Sequence, residues 1–132
     1  MVGIDNLAVF AVTSLEDPRP LIEAIDDLPV PAVVIENKVD YGRHLWQGSA
    51  DYRFDKQGGA LGTLIVSPVR HDPTVTVVTY GENAREIAEQ LEQLFLESDH
   101  VVELIVPVML HPLTVQPILD SARRTRRVVV VE

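Results

Sequence analysis

The strongest constraint on the fold is a repeated change of hydrophobic period along the chain. Six short apolar runs, LAVFAV (7–12), AVVI (32–35), ALGTLIVS (60–67), TVTVVTY (74–80), VVELIVPVML (101–110) and RVVVV (127–131), are separated by segments of a different rhythm. Short continuous apolar runs suit strands buried on both faces. Three intervening segments instead repeat their apolar residues at helical spacing. After the first run, Asp17 is placed to cap a helix and Pro18 suits its first turn, with Leu21, Ile22, Ile25 and Leu28 on one face. Pro29 and Pro31 end that helix before Ala32–Ile35, which gives a β-α-β unit with parallel strands. After Thr74–Tyr80, Asn83 with Glu86 three residues on has the form of a capping box. Ala84, Ile87, Ala88, Leu91, Leu94 and Phe95 then form an apolar stripe. The last helix is expected from Val115 to about Arg124, capped by Thr114, with Val115, Ile118, Leu119 and Ala122 inward and Arg127–Val131 following as a buried strand. Pro107 marks a place where strand pairing ends or bulges.

The segment Glu36–Gly59 fits neither rhythm. It is polar, holds aromatics and reads as a long connection between two structural units. The expected organisation is a β-α-β piece at 1–42, a linker at 43–59 and a second unit at 60–132. Strands alternating with helices argue for an α/β fold, a three-layer α/β/α arrangement with a mostly parallel sheet. Doubly wound domains normally continue past a core strand with another helix, so the second unit is expected to be incomplete or completed by another chain.

Charge and composition narrow the function classes. The 132 residues carry a formal net charge of −9, from 20 acidic and 11 basic side chains. That balance disfavours partners rich in phosphate, both nucleic acid and anionic membrane surfaces. With no cysteine, thiolate metal sites and a cysteine nucleophile are excluded. No apolar run is long enough to span a bilayer, and the first residues lack the form of a signal peptide, so a cytoplasmic protein is the default expectation.

Candidate sites are few. Gly81 lies between a strand and a helix start, but a dinucleotide loop needs several glycines, and Glu82 would repel a phosphate there. Gly81 is therefore read as a turn. Glu36, Lys38, Asp40 and Tyr41 follow the second strand directly, where ligands of open α/β sheets gather. The same residues also suit an ion-paired loop that anchors the chain as it leaves the sheet. His44 lies beside Trp46 in the long connection, and His111 follows the 101–110 strand; either suits acid–base chemistry, and no histidine pair has metal-ligand spacing. Arg123, Arg124, Arg126 and Arg127 read as a helix terminus or a subunit contact.

The order of these segments resembles one known family. TVTVVTYGENAREIAEQLEQL followed by VVELIVPVMLHPLTVQPILDSARRTRRVVVVE is similar to the C-terminal domain of transketolase-like, thiamine-diphosphate-dependent enzymes. The nearest likeness is to the beta subunit of the 2-oxo acid dehydrogenase decarboxylating component. Val78–Gly81 match its "VTYG" turn, Leu110, His111, Pro112 and Leu113 its turn before a helix, and Arg124, Thr125 and Arg127–Glu132 its following strand. Upstream, Pro31, Glu36, Lys38 and Tyr41 match the end of that subunit's pyrimidine-binding domain. The family turn usually carries Asp and Arg where this chain has Pro107 and Met109.

The resemblance implies thiamine diphosphate and Mg²⁺ for the whole enzyme, with none bound by this chain alone. It implies either a homo-oligomer or a companion cofactor-binding subunit, and an acyltransferase core as a further partner. The activating glutamate and the diphosphate site lie in segments outside this stretch of the family, so the chain is expected to be inactive alone. It would contribute dimerisation and active-site-border surface, with Glu36, Lys38, Asp40 and Tyr41 at that border. The other readings are a non-catalytic assembly or partner-docking module, and a flavodoxin-like nucleotide-binding domain.

Overall fold

A computed structural model describes residues 4–132, apart from the side chain of Asp40. The expected β-α-β unit forms from β1 (Ala8–Ala11), α1 (Arg19–Asp26) and β2 (Ala32–Ile35), with β1 and β2 parallel in register from Ala8↔Ala32 to Ala11↔Ile35. Pro18 rather than Asp17 is the N-cap of α1 and makes no side-chain cap; Asp17, one residue earlier, accepts the Arg19 backbone N–H through Oδ1 at 3.0 Å. The Arg19 side chain also donates to it, which holds the Asp17 carboxyl below its ordinary value. Leu21 is buried and Ile25 and Leu28 pack on the core, whereas Ile22 turns outward. Strand β2 is half-buried rather than buried, because it is the outer strand of its small sheet.

The remaining strands are β3 (Tyr52–Gln57), β4 (Thr63–Pro68), β5 (Val75–Val78), β6 (Val102–Pro107), β7 (Met109–His111) and β8 (Val128–Val130), with helices α2 (Asn83–Ser98) and α3 (Gln116–Thr125). A five-stranded sheet runs in the order β3-β4-β6-β5-β8. Strands β5, β6 and β8 are parallel, while β4 is antiparallel to both of its neighbours. Strand β3 occupies part of the segment read as a linker. Its alternation of Tyr52 and Phe54 with Arg53, Asp55 and Gln57 is the period-2 signal of an edge strand.

At Pro107 the 101–110 run changes sheets. Strand β6 ends there, and β7 pairs antiparallel with β1 to give a second sheet, β2-β1-β7. The two sheets share one buried cluster in which Phe10 and Leu21 join Leu64, Val66 and Leu104, with Ala84, Ala88 and Leu91 of α2. The opposite face of the larger sheet receives α3, so helices cover both faces.

Four further local expectations fail for physical reasons. Asn83 is the first residue of α2 and makes no cap; Glu82 precedes it, and its carboxylate turns away to Ser14 and Arg43. Thr114 does not cap α3, which Val115 precedes without a side-chain cap. The face of α3 is also rotated. Pro117, Ser121 and Thr125 are buried, while Val115 and Leu119 are exposed. Small hydroxyl residues let α3 approach the sheet, and the sheet satisfies them: Thr76 Oγ1 lies 2.7 Å from both Ser121 Oγ and Thr125 Oγ1. Last, β8 is exposed rather than buried, since it is the outer strand of its sheet.

Candidate functional site

Beyond the carboxyl ends of β1 and β2 lies a cleft of about 300 Å³. Its walls come from Val12–Pro18 after β1, from Glu36, Asn37 and Tyr41 after β2, and from Arg43 and Leu45 of the connection. The chain after β2 winds into a short 3-10 turn, Lys38–Gly42, started by Asn37, whose Oδ1 accepts the Val39 N–H at 3.1 Å. That turn folds Tyr41 back so that its Oη donates to Glu36 Oε2 at 2.6 Å.

The cleft is braced by ion pairs. Glu16 accepts Lys56 Nζ at 2.7 and 2.9 Å, which ties the loop after β1 to β3. Arg43 reaches the start of α2, where it pairs with Glu82, with Glu86 at 2.8 Å and with Glu89 at 3.7 Å. The Glu86 hydrogen bond, reinforced by Glu82, holds the Arg43 guanidinium protonated beyond its ordinary range. Ser14 Oγ donates to Glu82 Oε2 at 3.1 Å, and Arg85 Nη1 donates to the backbone carbonyls of Ser14 and His44.

The Gly81 turn takes part in this bracing. Gly81 has φ +60°, a left-handed conformation that favours glycine, although an added Cβ would make only ordinary contacts, 3.8 Å from the Val12 carbonyl. The turn delivers Glu82, with a side chain only 9% exposed, to Ser14 and Arg43. The helix start after Gly81 thus presents a carboxylate.

Of the candidate residues, Glu36 and Tyr41 line the cleft together, with Ser14 and Arg43, and Glu82 sits beside it as the partner of both of these. Lys38 and His44 do not line it. His111 lies in β7, opposite Val9 of β1, and is likewise outside it. The side chain of Asp40 falls outside the described residues. No group of three or more His, Asp or Glu placed for a metal ion occurs among the described residues, and no helix there is long and apolar enough to cross a membrane.

The Glu36 hydrogen bond raises the Tyr41 pKa above its ordinary value of about 10. The protonated phenol is the form the fold favours. Its contribution to stability is therefore complete below the unfolded-state pKa and is lost as pH rises through the folded one. In a spectroscopic titration of tyrosinate, Tyr41 is expected to ionise late, and Glu36→Gln should bring it back towards the ordinary value. Unchanged ionisation in that variant would contradict the contact.

A second cluster was not singled out from sequence. Glu103 in β6, 5% exposed, accepts Ser67 Oγ at 2.9 Å and Ser121 Oγ at 2.5 Å, and pairs with Arg124. The signal was present, because a carboxylate inside the apolar run VVELIV must be paired if that run is buried. These contacts fasten α3 to the sheet.

No family model matches the chain. It is similar to the pyruvate dehydrogenase E1 component subunit beta, mitochondrial, of Saccharomyces cerevisiae, with 28% identity over 138 residues; the match covers 98% of this chain and 34% of that protein. Among solved structures it is similar to one described as a split gene transketolase, inactive beta4 tetramer, with TM-score 0.66 and 17% identity over all of this chain and 40% of that one. The chain thus spans about a third of the length of the first and two fifths of the second. It has a transketolase C-terminal-domain-like α/β fold and resembles, along nearly its whole length, a pyruvate dehydrogenase E1 beta subunit.

Proposed function

We propose that this chain is a component of a thiamine-diphosphate-dependent enzyme of the 2-oxo acid dehydrogenase or transketolase type, and that it supplies assembly and active-site-border surface rather than the chemistry. The observation that carries this reading is the state of the cleft at the ends of β1 and β2. Its carboxylates already have partners: Glu16 has Lys56, Glu36 has Tyr41, and Glu82 beside it has Ser14 and Arg43. The residues present do not fit the cofactor. A diphosphate–Mg²⁺ group asks for carboxylate or carbonyl oxygens on the metal and for cations on the phosphate. Here the carboxylates are occupied, and Arg43 is held by Glu82 and Glu86. Such a cleft suits a braced rim.

The sequence likeness supports the 2-oxo acid side of the reading, and decarboxylation would then belong to the assembled enzyme. A companion thiamine-diphosphate-binding subunit, or further copies of this chain, would complete it. The solved relative is described as an inactive beta4 tetramer, which favours a beta-type chain that assembles without activity.

Thermal unfolding with added ligands tests the reading. Thiamine diphosphate with Mg²⁺ is expected to leave the midpoint of the isolated chain unchanged, and so is FMN. Stabilisation by thiamine diphosphate with Mg²⁺ would overturn the assignment of the cofactor site to another chain. Stabilisation by FMN would favour a flavodoxin-like nucleotide binder instead.

A further inference from the structure

The connection between the 3-10 turn and β3 is held by charge more than by burial. Residues 43–49 adopt no regular structure; of residues 43–50, Trp46 and Ser49 are half-buried and the others exposed. Trp46 packs partly on the core, and its N–H donates to the Ser14 carbonyl at 3.0 Å. The polar ties run to α2. Glu82 just before that helix, and Glu86, Glu89 and Glu92 within it, follow at spacings that set them on one side. Arg43 takes the first three, with Glu86 at 2.8 Å and Glu89 at 3.7 Å, and Ser49 Oγ donates to Glu92. From the same helix, Arg85 Nη1 donates to the His44 carbonyl at 3.2 Å.

Ties of this kind open more readily than packed apolar ones. Exposed ion pairs contribute little each and weaken as salt screens them. Segments with few buried apolar contacts unfold locally while the core stays closed. The Glu86 side chain is 61% exposed and that of Arg43 33%, so salt reaches the latch. Gly42 precedes the segment and Gly48 lies near its end. Nothing lies within 4 Å of a Cβ built on either, so the backbone can turn at both without a clash. Two parts of the cleft depend on this segment. Arg43 and Leu45 line it directly, and Ser14 is held through its carbonyl by Trp46 and Arg85.

We propose that residues 43–49 are a strap, latched to α2 by charge, that swings away from the helix as a unit while both sheets stay folded, and so opens the side of the cleft formed by Arg43 and Leu45. The strap governs access to the cleft, whichever chain holds the cofactor.

Hydrogen exchange at single amides of the whole chain, followed by NMR at about 20 mM and about 0.5 M NaCl, tests it. The Trp46 N–H is expected to exchange about fivefold faster at high salt, whereas the N–H groups of Leu104 and Ile105 in β6 show no such rise. Arg43→Ala should give the fast Trp46 rate already at low salt and remove most of the salt dependence. Glu86→Gln with Glu89→Gln, both on exposed residues, should act in the same direction from the helix side. Arg123→Ala removes a cation from an exposed pair on α3 and is the control, with unchanged behaviour expected. A Trp46 rate that ignores salt, or an Arg43→Ala protein that keeps the full salt dependence, would overturn the strap. So would a rise shared by Leu104 and Ile105, since the whole fold would then be opening.

Discussion

Replacing Glu103 with alanine should destabilise the protein by about 3 kcal/mol. Glu103 is 5% exposed and accepts hydrogen bonds from Ser67 and Ser121, both of which are buried. Removing the carboxylate takes the acceptor from the buried Ser67 hydroxyl, leaves Ser121 with Thr76 Oγ1 alone as its side-chain partner, and opens space between α3 and the sheet. Arg124 supplies the opposing charge, but its side chain is 55% exposed and can return to water. Arg124→Ala should therefore cost far less, under about 1 kcal/mol, because solvent screens that half of the pair. Urea unfolding of both variants checks the contrast. Equal losses would mean that the charge pair, rather than the buried hydroxyl network, fastens α3.

Phe10→Ala should cost about 4 kcal/mol and lower the melting temperature by about 10–15 °C. Phe10 is fully buried in β1, yet its cluster includes Leu64, Val66 and Leu104 of the larger sheet. The loss should therefore be felt by the whole chain. The single tryptophan, Trp46, packs partly on that core with its ring centroid 6.5 Å from that of Phe54 in β3. Its fluorescence reports on the connection and β3, whereas far-ultraviolet circular dichroism reports on all the elements. Both signals should shift together in Phe10→Ala. If circular dichroism lost only part of its amplitude early while the Trp46 transition stayed in place, the two sheets would be folding separately.

Much of the architecture was legible because buried strands and amphipathic helices leave different periods in the sequence. LAVFAV and AVVI gave parallel strands joined by a helix, and Pro107 marked the point where one apolar run divides between two sheets. The face of α3 was not legible. Propensity and hydrophobicity assign Leu119 inward, but the partner surface bears Thr76 and Glu103, and such a surface selects Ser121 and Thr125. The pattern of a helix does not carry the polarity of the sheet it meets.

The cleft was legible to a similar extent. Glu36 and Tyr41 follow a strand end, and that position placed them at the cleft. Arg43 and Glu82 are 39 residues apart, and no local rule pairs them; only the packing of the connection against α2 does. His44 and His111 were singled out by residue type and by their places in the connection and after the 101–110 run, and neither lines the cleft.

On the reading proposed above, this chain shapes and assembles a thiamine-diphosphate enzyme without performing its chemistry. The most direct measurement is a steady-state assay of pyruvate decarboxylation by the isolated chain with thiamine diphosphate and Mg²⁺. No rate above the protein-free control is expected at any substrate concentration. Saturable turnover that scales with the amount of chain would contradict it.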